Sequence, residues 1–375
     1  MAAGDLAKPV ISEPADAQVC DLTPKYQRPF LEGKKRPENP REKGQTTYRA
    51  ERSHPEPVRV VWQAAGENCT YVLHLSESAD MKDAKSIDCG AKCEGAVDNL
   101  KLGTDYYLQI EAVRNGEKAL SAVRRFRTLY RPPRWIRVPS TSNVRDCGGW
   151  PAGQGQRVRQ GMIYRGAQIN SNKVDPFARE TERQPIVSRR VKPGPGKNDK
   201  PWLIKPEGVQ VMKELGIRSD LDLRHPVLFK LPKPLEPIGA QGLNFQLSSY
   251  ASFLKSEDPK YPDCFRAFLK EENYPVYIHC MGGADRTGTL VMLLLGVLGV
   301  SDEDLLKEYE LTTFSTVGSR LRDRPKFVEY LKNLDAFAPG RSLAEKAEAY
   351  WKARGITDAE IARFREIMLE PAESK

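Results

Sequence analysis

The sequence predicts two architectures in one chain: a small all-β sandwich, followed by an α/β domain with a mainly parallel sheet flanked by helices. Three observations lead there. At 375 residues the chain is longer than one domain usually runs. Before residue 130, short alternating apolar runs are separated by Gly, Asn, Asp and Lys. After it, helical stripes alternate with short β-branched strands. The expected divisions are a polar N-terminal segment at 1–50, the sandwich at 51–130 and the α/β domain at 131–375.

Residues 1–50 are rich in Pro, Lys and Glu. Within them "EGKKRPENPREKGQ" is polar enough for a loop or tether, and "VISEPADAQVCDL" can supply a first edge strand. The runs "VRVVWQ" (58–63), "TYVLHLSES" (70–78), "DYYLQIEAV" (105–113) and "AVRRFRTL" (122–129) have the pattern of antiparallel strands. "RPPRW" (131–135) reads as a stiff linker, since consecutive prolines hold an extended path. "KPEGVQVMKELG" (205–216) carries a helical stripe at Val209, Met212 and Leu215, with Gly216 placed as a helix-ending glycine. The strand "IRSDLDLR" (217–224) follows, then a helix around "DCFRAFLKEEN", the strand "PVYIH" and a helix from about Arg286 to Leu298. In "SDEDLLKEYELT", Ser301 and Asp304 suit a helix start, and the tail reads as two amphipathic helices joined at Gly355.

The balance of 59 Lys+Arg against 50 Asp+Glu leaves +9. That favours anionic partners in general, and a solvated basic face accounts for it equally well. The stretch Ser171–Lys205 holds nine Lys/Arg against four Asp/Glu. It reads either as a guide for anionic substrates or as a solvated, flexible surface loop. The longest apolar run, Leu290 to Val300, is about half of what a membrane span needs, so no span is expected. The opening "MAAGDLAKPVISEP" lacks the basic and apolar regions of a secretory signal. This leaves a cytosolic protein or a chain that begins after a removed signal. Seven cysteines are too few for a disulfide scaffold at this length. Cys89 and Cys93, in "CGAKC", can close a small loop in an oxidising compartment; no His cluster or second Cys pair lies nearby to make them a metal site, and no cofactor is expected.

The chemistry concentrates in "YPVYIHCMGGADRTGTLVMLLLGVLG" (274–299), a strand entering a glycine-rich turn that opens a helix. Such a loop lies at the carboxyl end of the sheet, where its N–H groups converge with the positive helix end into an anion nest. A cysteine there, Cys280, has its thiolate favoured and becomes a nucleophile at neutral pH. Arg286 offers a planar fork for two phosphate oxygens. His279 precedes the cysteine on the strand, so its ring should face away, behind the loop, as a support and not a base. Thr287 can bond the thiolate, assist a second step, or cap the helix.

His279, Cys280, Gly283, Arg286, Thr287 and Gly288 match, position by position, the His-Cys-x-x-Gly-x-x-Arg-Ser/Thr-Gly loop of the cysteine-dependent protein tyrosine phosphatase superfamily. The resemblance extends to "NVRDCGGW" (143–150), "GMIYRGAQ" (161–168), "LGIRSDLDLR" and "LGVSDEDLLKEYELT", which look like the bacterial branch related to dual-specificity and phosphoinositide-active enzymes. It implies a phosphate-binding loop of Met281, Gly282, Gly283, Ala284, Thr287 and Gly288 around Cys280. Related loops often carry lysine where Ala284 stands, which weakens the case for highly phosphorylated inositol lipids. "LKLGTDYYLQI" resembles the tyrosine corner of fibronectin type III modules, with Leu100, Gly103, Thr104 and Tyr106 in place; Tyr106 would bond back to the chain just upstream.

Expelling a tyrosine oxygen, whose free pKa is about 10, needs a proton donor. The region where many relatives carry that aspartate reads "NFQLSSYASFLK" and has no carboxylate. Asp285, inside the turn, resembles the loop aspartate of relatives ending Asp-Arg-Thr and is the first candidate; Asp258 is the second. Asp285 can instead order the loop or pair with Arg286. Asp222, Arg224 and Arg165 either line the same pocket or form structural ion pairs. The expected activity is phosphomonoester hydrolysis through a phosphocysteine, on phosphotyrosine first and on inositol phosphates or phosphoinositides second. The expected partner is a phosphorylated protein or other phosphomonoester, not a nucleic acid. A binding protein acting through the sandwich is the alternative of another class, and the intact Cys280 and Arg286 stand against it. Fibronectin-type modules joined to bacterial enzymes are common outside the cytoplasm, an analogy that favours export.

Overall fold

The computed structural model describes residues 6–38, 51–171 and 201–372; the rest of the polar N-terminal stretch and most of the basic loop at 171–205 lie outside them. The chain forms two compact units, Met1–Thr23 with Pro55–Arg134 and Pro24–His54 with Trp135–Lys375.

In the first unit, β1 (Val10–Glu13), β2 (Gln18–Cys20), β3 (Val58–Gln63), β4 (Thr70–Ser76), β5 (Lys85–Gly90), β6 (Glu94–Val97), β7 (Asp105–Arg114), β8 (Glu117–Leu120) and β9 (Arg124–Thr128) make two sheets. One runs β1-β3-β6; the other runs β2-β9-β7-β4-β5, with β8 on β7. Strand β3 buries Val58, Val60 and Trp62 in alternation, and β7 buries Tyr106, Leu108, Ile110 and Ala112. Both sets join one hydrophobic cluster. That period of two made these strands legible. Strand β5 buries no residue fully and β8 none either, so neither gave an alternating signal. The Tyr106 hydroxyl accepts the Lys101 N–H at 2.8 Å, and its ring stacks on Phe126 at 5.5 Å. Cys89 and Cys93 flank the turn between β5 and β6 as free thiols, so the disulfide-closed loop is not formed.

In the second unit, β10 (Arg145–Asp146), β12 (Ile163–Gly166), β15 (Ser219–Asp222), β16 (Gln241–Asn244) and β17 (Val276–His279) form a sheet of order β10-β12-β17-β15-β16. All its pairings are parallel except that of β10 with β12. The central strand β17 is buried throughout, which explains its continuous apolar reading. Two short ribbons, β11 (Gln156–Val158) with β18 (Leu369–Pro371) and β13 (Asn170–Ser171) with β14 (Trp202–Leu203), complete the strands. The helices are α1 (Arg28–Leu31), α2 (Pro206–Glu214), α3 (Pro226–Phe229), α4 (Ala251–Leu254), α5 (Lys260–Ala267), α6 (Asp285–Val297), α7 (Asp302–Glu310), α8 (Pro325–Asp335), α9 (Leu343–Ala353) and α10 (Asp358–Met368). From Thr287 to Val297 every residue of α6 is buried, so it is apolar all round. Ser301 caps α7 by accepting the Asp304 N–H, and capping boxes start α9 (Ser342, Glu345) and α10 (Thr357, Glu360). Helix α8 was not read from the sequence, although it buries Phe327, Tyr330 and Leu334 on one stripe.

The first fifty residues are not one segment. Residues before Pro24 supply β1 and β2, whereas Phe30 of α1 belongs to the main core of the second unit. The Trp135 indole donates to Gln27 at 2.6 Å, and the Arg52 N–H bonds Phe314 O at 3.0 Å. The stretch "EGKKRPENPREKGQ" (32–45), expected as a loop or tether, lies outside the described residues from 39 on. No helix among the described residues is long and apolar enough to cross a membrane.

Candidate active site

The loop at 280–284 leaves β17 and enters α6 at Asp285. Its curvature depends on Gly283, at φ +62°, where a Cβ would collide with the backbone carbonyl of Gly166. A Cβ on Gly282 would lie 2.6 Å from Val317 Cγ1, so the segment after Ser315 packs on the loop. The loop carbonyls point outward to fixed donors. Gln168 N–H bonds Met281 O at 3.0 Å, Asn143 Nδ2 bonds Gly282 O at 3.1 Å and Gly283 O at 3.3 Å, and Arg165 Nη2 bonds Gly283 O. The backbone N–H groups of Ala284 and Thr287 lie on the Cys280 side of the loop and favour its thiolate.

Cys280 is 3% exposed. Burial alone would push its thiol up. The Arg286 guanidinium, the Thr287 hydroxyl and the two N–H groups together outweigh burial and hold it below the ordinary thiol value. Thr287 Oγ1 is buried without a hydrogen-bond partner among the described residues, and no side-chain cap bond starts α6. Arg286 is anchored by Nη1 to Leu223 O at 3.3 Å. Met281 is 45% exposed, whereas Gly283, Ala284 and Gly288 are buried.

His279 lies behind the loop, fully buried, with Nδ1 3.1 Å from Cys280 O and Nε2 3.0 Å from Asp220 Oδ1. Burial favours its neutral form, but Asp222 and Asp220 more than compensate and raise its pKa. Asp222 and Arg224 take the structural alternative. Arg224 Nε and Nη2 bond the Asp222 carboxylate at 2.9 and 2.7 Å, and Nη1 bonds Gln168 Oε1 and Asn170 O. With 2% and 0% exposure, neither lines an open pocket.

Arg165, 1% exposed, also works from behind. It belongs to a network absent from the sequence reading: Glu308 on α7 bonds Arg165 Nη1 and Arg145 Nε, each at 2.7 Å, and Arg145 holds Asn143 Oδ1 at 2.6 Å. Glu308 thus sets both side chains that grip the loop carbonyls. Burial and the neighbouring Arg165 push Arg145 down to about 10. Glu308→Gln should lower stability by about 3–5 kcal/mol, the cost of breaking a buried pair. Activity should fall with it, because Gly283 loses its anchor. Thermal unfolding together with kcat checks this; an unchanged melting temperature would refute the network's role.

Asp285 pairs not with the adjacent Arg286 but with Arg320, whose Nε and Nη2 each bond one carboxylate oxygen at 2.8 Å. Arg324 Nη1 stands 3.4 Å from Oδ1, and the Tyr250 hydroxyl donates to the same oxygen. Burial pushes the Asp285 carboxyl up, but Arg320, Tyr250 and Arg324 outweigh it and hold the group below the usual range. Asp258 is held by Lys260 Nζ at 2.7 Å, which also lowers it, and no described contact ties it to the loop. Among the described residues no group of three or more His, Cys, Asp or Glu is arranged to hold a metal ion.

The site thus presents a buried cysteine of lowered pKa at a glycine-rich loop that opens a helix, with an arginine at the helix entrance. The chain belongs to the tyrosine phosphatase family, whose model matches residues 136–179 and 198–370. A Cupriavidus necator protein provisionally named a tyrosine-protein phosphatase is 29% identical over 180 residues, 45% of this chain and 59% of that one. The chain therefore spans about three fifths of the length of this curated relative. Among solved structures, the core catalytic domain of the S. cerevisiae PP-IP phosphatase SIW14, with citrate, matches at 15% identity and a TM-score of 0.28, over 48% of this chain and 90% of that domain.

Proposed function

We propose that the second unit hydrolyses phosphomonoesters by in-line transfer to Cys280, with phosphotyrosine as the first substrate. The observation that carries this reading is a buried cysteine, Cys280, at the turn from β17 into α6 with Arg286 at the helix entrance, an arrangement that lowers the thiol pKa. The thiolate attacks phosphorus while Arg286 and the N–H groups bind the non-bridging oxygens, where charge is best stabilised. The sulfur–phosphorus bond forms as the bond to the leaving oxygen breaks, and that oxygen takes a proton. Water then attacks the phosphocysteine, releasing phosphate and restoring the thiolate.

Asp285 is the proposed proton donor, at the first position of α6 beside Arg286, with its side chain 36% exposed. Held ionised at rest, it must take up a proton after its grip by the arginines loosens. Residues 51–130 are proposed to be a fibronectin type III-like module, a reading supported by the Tyr106–Lys101 hydrogen bond.

A panel of phosphotyrosine, phosphoserine and inositol phosphate substrates, assayed in excess EDTA, tests this reading. Phosphotyrosine turnover should survive the chelator. Mild peroxide should abolish it and thiol restore it, because a thiolate of lowered pKa oxidises to the sulfenic acid. A metal requirement would overturn the mechanism.

A further inference from the structure

The arginines around Asp285 outnumber what one carboxylate needs. Two guanidinium groups, those of Arg320 and Arg324, stand against that single carboxylate, and its other neighbour in the cluster, Tyr250, is neutral because burial pushes its hydroxyl far above the ordinary range. The two arginines that hold Asp285 are not equivalent. Arg320 is 12% exposed and fully committed, with a two-bond fork to Asp285 and Nη1 on Ser319 O at 2.9 Å. Arg324 is 30% exposed and makes only long contacts through Nη1, at 3.4 Å to Asp285 and 3.5 Å to Tyr250. Its Nε and Nη2 donors have no protein partner among the described residues. The segment bearing both arginines borders the phosphate loop, since Val317 packs on Gly282. Asp285 and Arg286 are consecutive at the start of α6, so Arg324 reaches the helix entrance through Asp285.

We infer that Arg324, backed by Arg320, forms a second anion subsite for a carboxylate or phosphate carried by the substrate close to its scissile phosphate. This rests on the phosphatase reading above and names the substrate class that site prefers. A second anion satisfies the spare donors of Arg324 and draws that guanidinium from Asp285, which keeps Arg320 and Tyr250. Binding of the substrate's second charge and loosening of Asp285 are then one event.

The test compares kcat/KM for matched phosphotyrosine peptides flanked by Asp and Glu or by Asn and Gln. A second arm compares an inositol bisphosphate with its monophosphate. The wild type should favour the doubly anionic member of a pair by roughly 5- to 10-fold, the scale of one partly exposed charge-assisted contact. Most of the difference should lie in KM. The ratio should fall to near one in Arg324→Gln, return in part in Arg324→Lys, and invert in Arg324→Glu, with folding of each checked by its melting temperature. A preference in the peptide arm alone, or in the inositol arm alone, supports the subsite and identifies where its second charge comes from. A wild-type ratio near one in both arms, or a preference that survives Arg324→Gln, overturns it. If neither member of any pair is hydrolysed, the phosphatase reading has failed instead, and the subsite with it.

Discussion

Cys280→Ser should abolish turnover, a loss on the order of 10⁴- to 10⁶-fold in kcat, while phosphate-ester binding persists. The groups proposed to bind the ester, the loop N–H groups and Arg286, remain in place when the sulfur is replaced. Serine supplies a hydroxyl that the same surroundings cannot ionise at neutral pH, so the covalent step is lost and the binding step is not. Tungstate affinity of the variant, measured by calorimetry, should remain near that of the wild type. Retention of more than a small fraction of turnover would rule out a phosphocysteine intermediate.

Asp285→Asn should slow aryl phosphates with basic leaving groups by roughly 10²- to 10⁴-fold, the usual size of general-acid catalysis, and spare those with very acidic leaving groups. The structure adds a condition. Asp285 neutralises Arg320 and Arg324, so the amide leaves two guanidinium groups less compensated and should tighten rather than weaken the binding of an inert anion. A steep leaving-group dependence with tungstate binding equal or tighter supports the donor role. Equal loss across all leaving groups would reduce Asp285 to an anchor for the loop. Asp258→Asn reproducing the steep dependence would move the proton upstream.

Cys280 and Arg286 could be singled out as the proposed nucleophile and its arginine because they lie on one contiguous stretch, whose strand and helix both carry strong local signals. What holds that loop was not, because its supports come from far along the chain: Asn143 and Arg165 from one side, Glu308 from α7. No local pattern marks a glutamate whose partners lie more than a hundred residues away. The pairing of Asp285 with Arg286 failed for a simpler reason: consecutive residues on a helix do not face each other, so Asp285 meets Arg320 and Arg324. Asp222 meets Arg224 because the chain bends just after β15, where the Arg224 N–H also bonds Asp222 Oδ1 at 2.8 Å. In the first unit, strands with a buried alternate face were readable, and β5 and β8, with no fully buried residues, were not.

The chain changes unit three times, at Thr23, His54 and Arg134. During synthesis Phe30 leaves the ribosome long before Phe314, the ring it meets at 5.7 Å in the finished core. The first unit is complete once Arg134 has emerged and can fold at once, as N-terminal domains do. Pro24–His54 has to wait, its apolar residues uncovered, for most of the remaining translation. A fragment that begins at Trp135 would emerge without that waiting piece, leaving the place of Phe30 in the core unfilled and the Trp135 indole without Gln27.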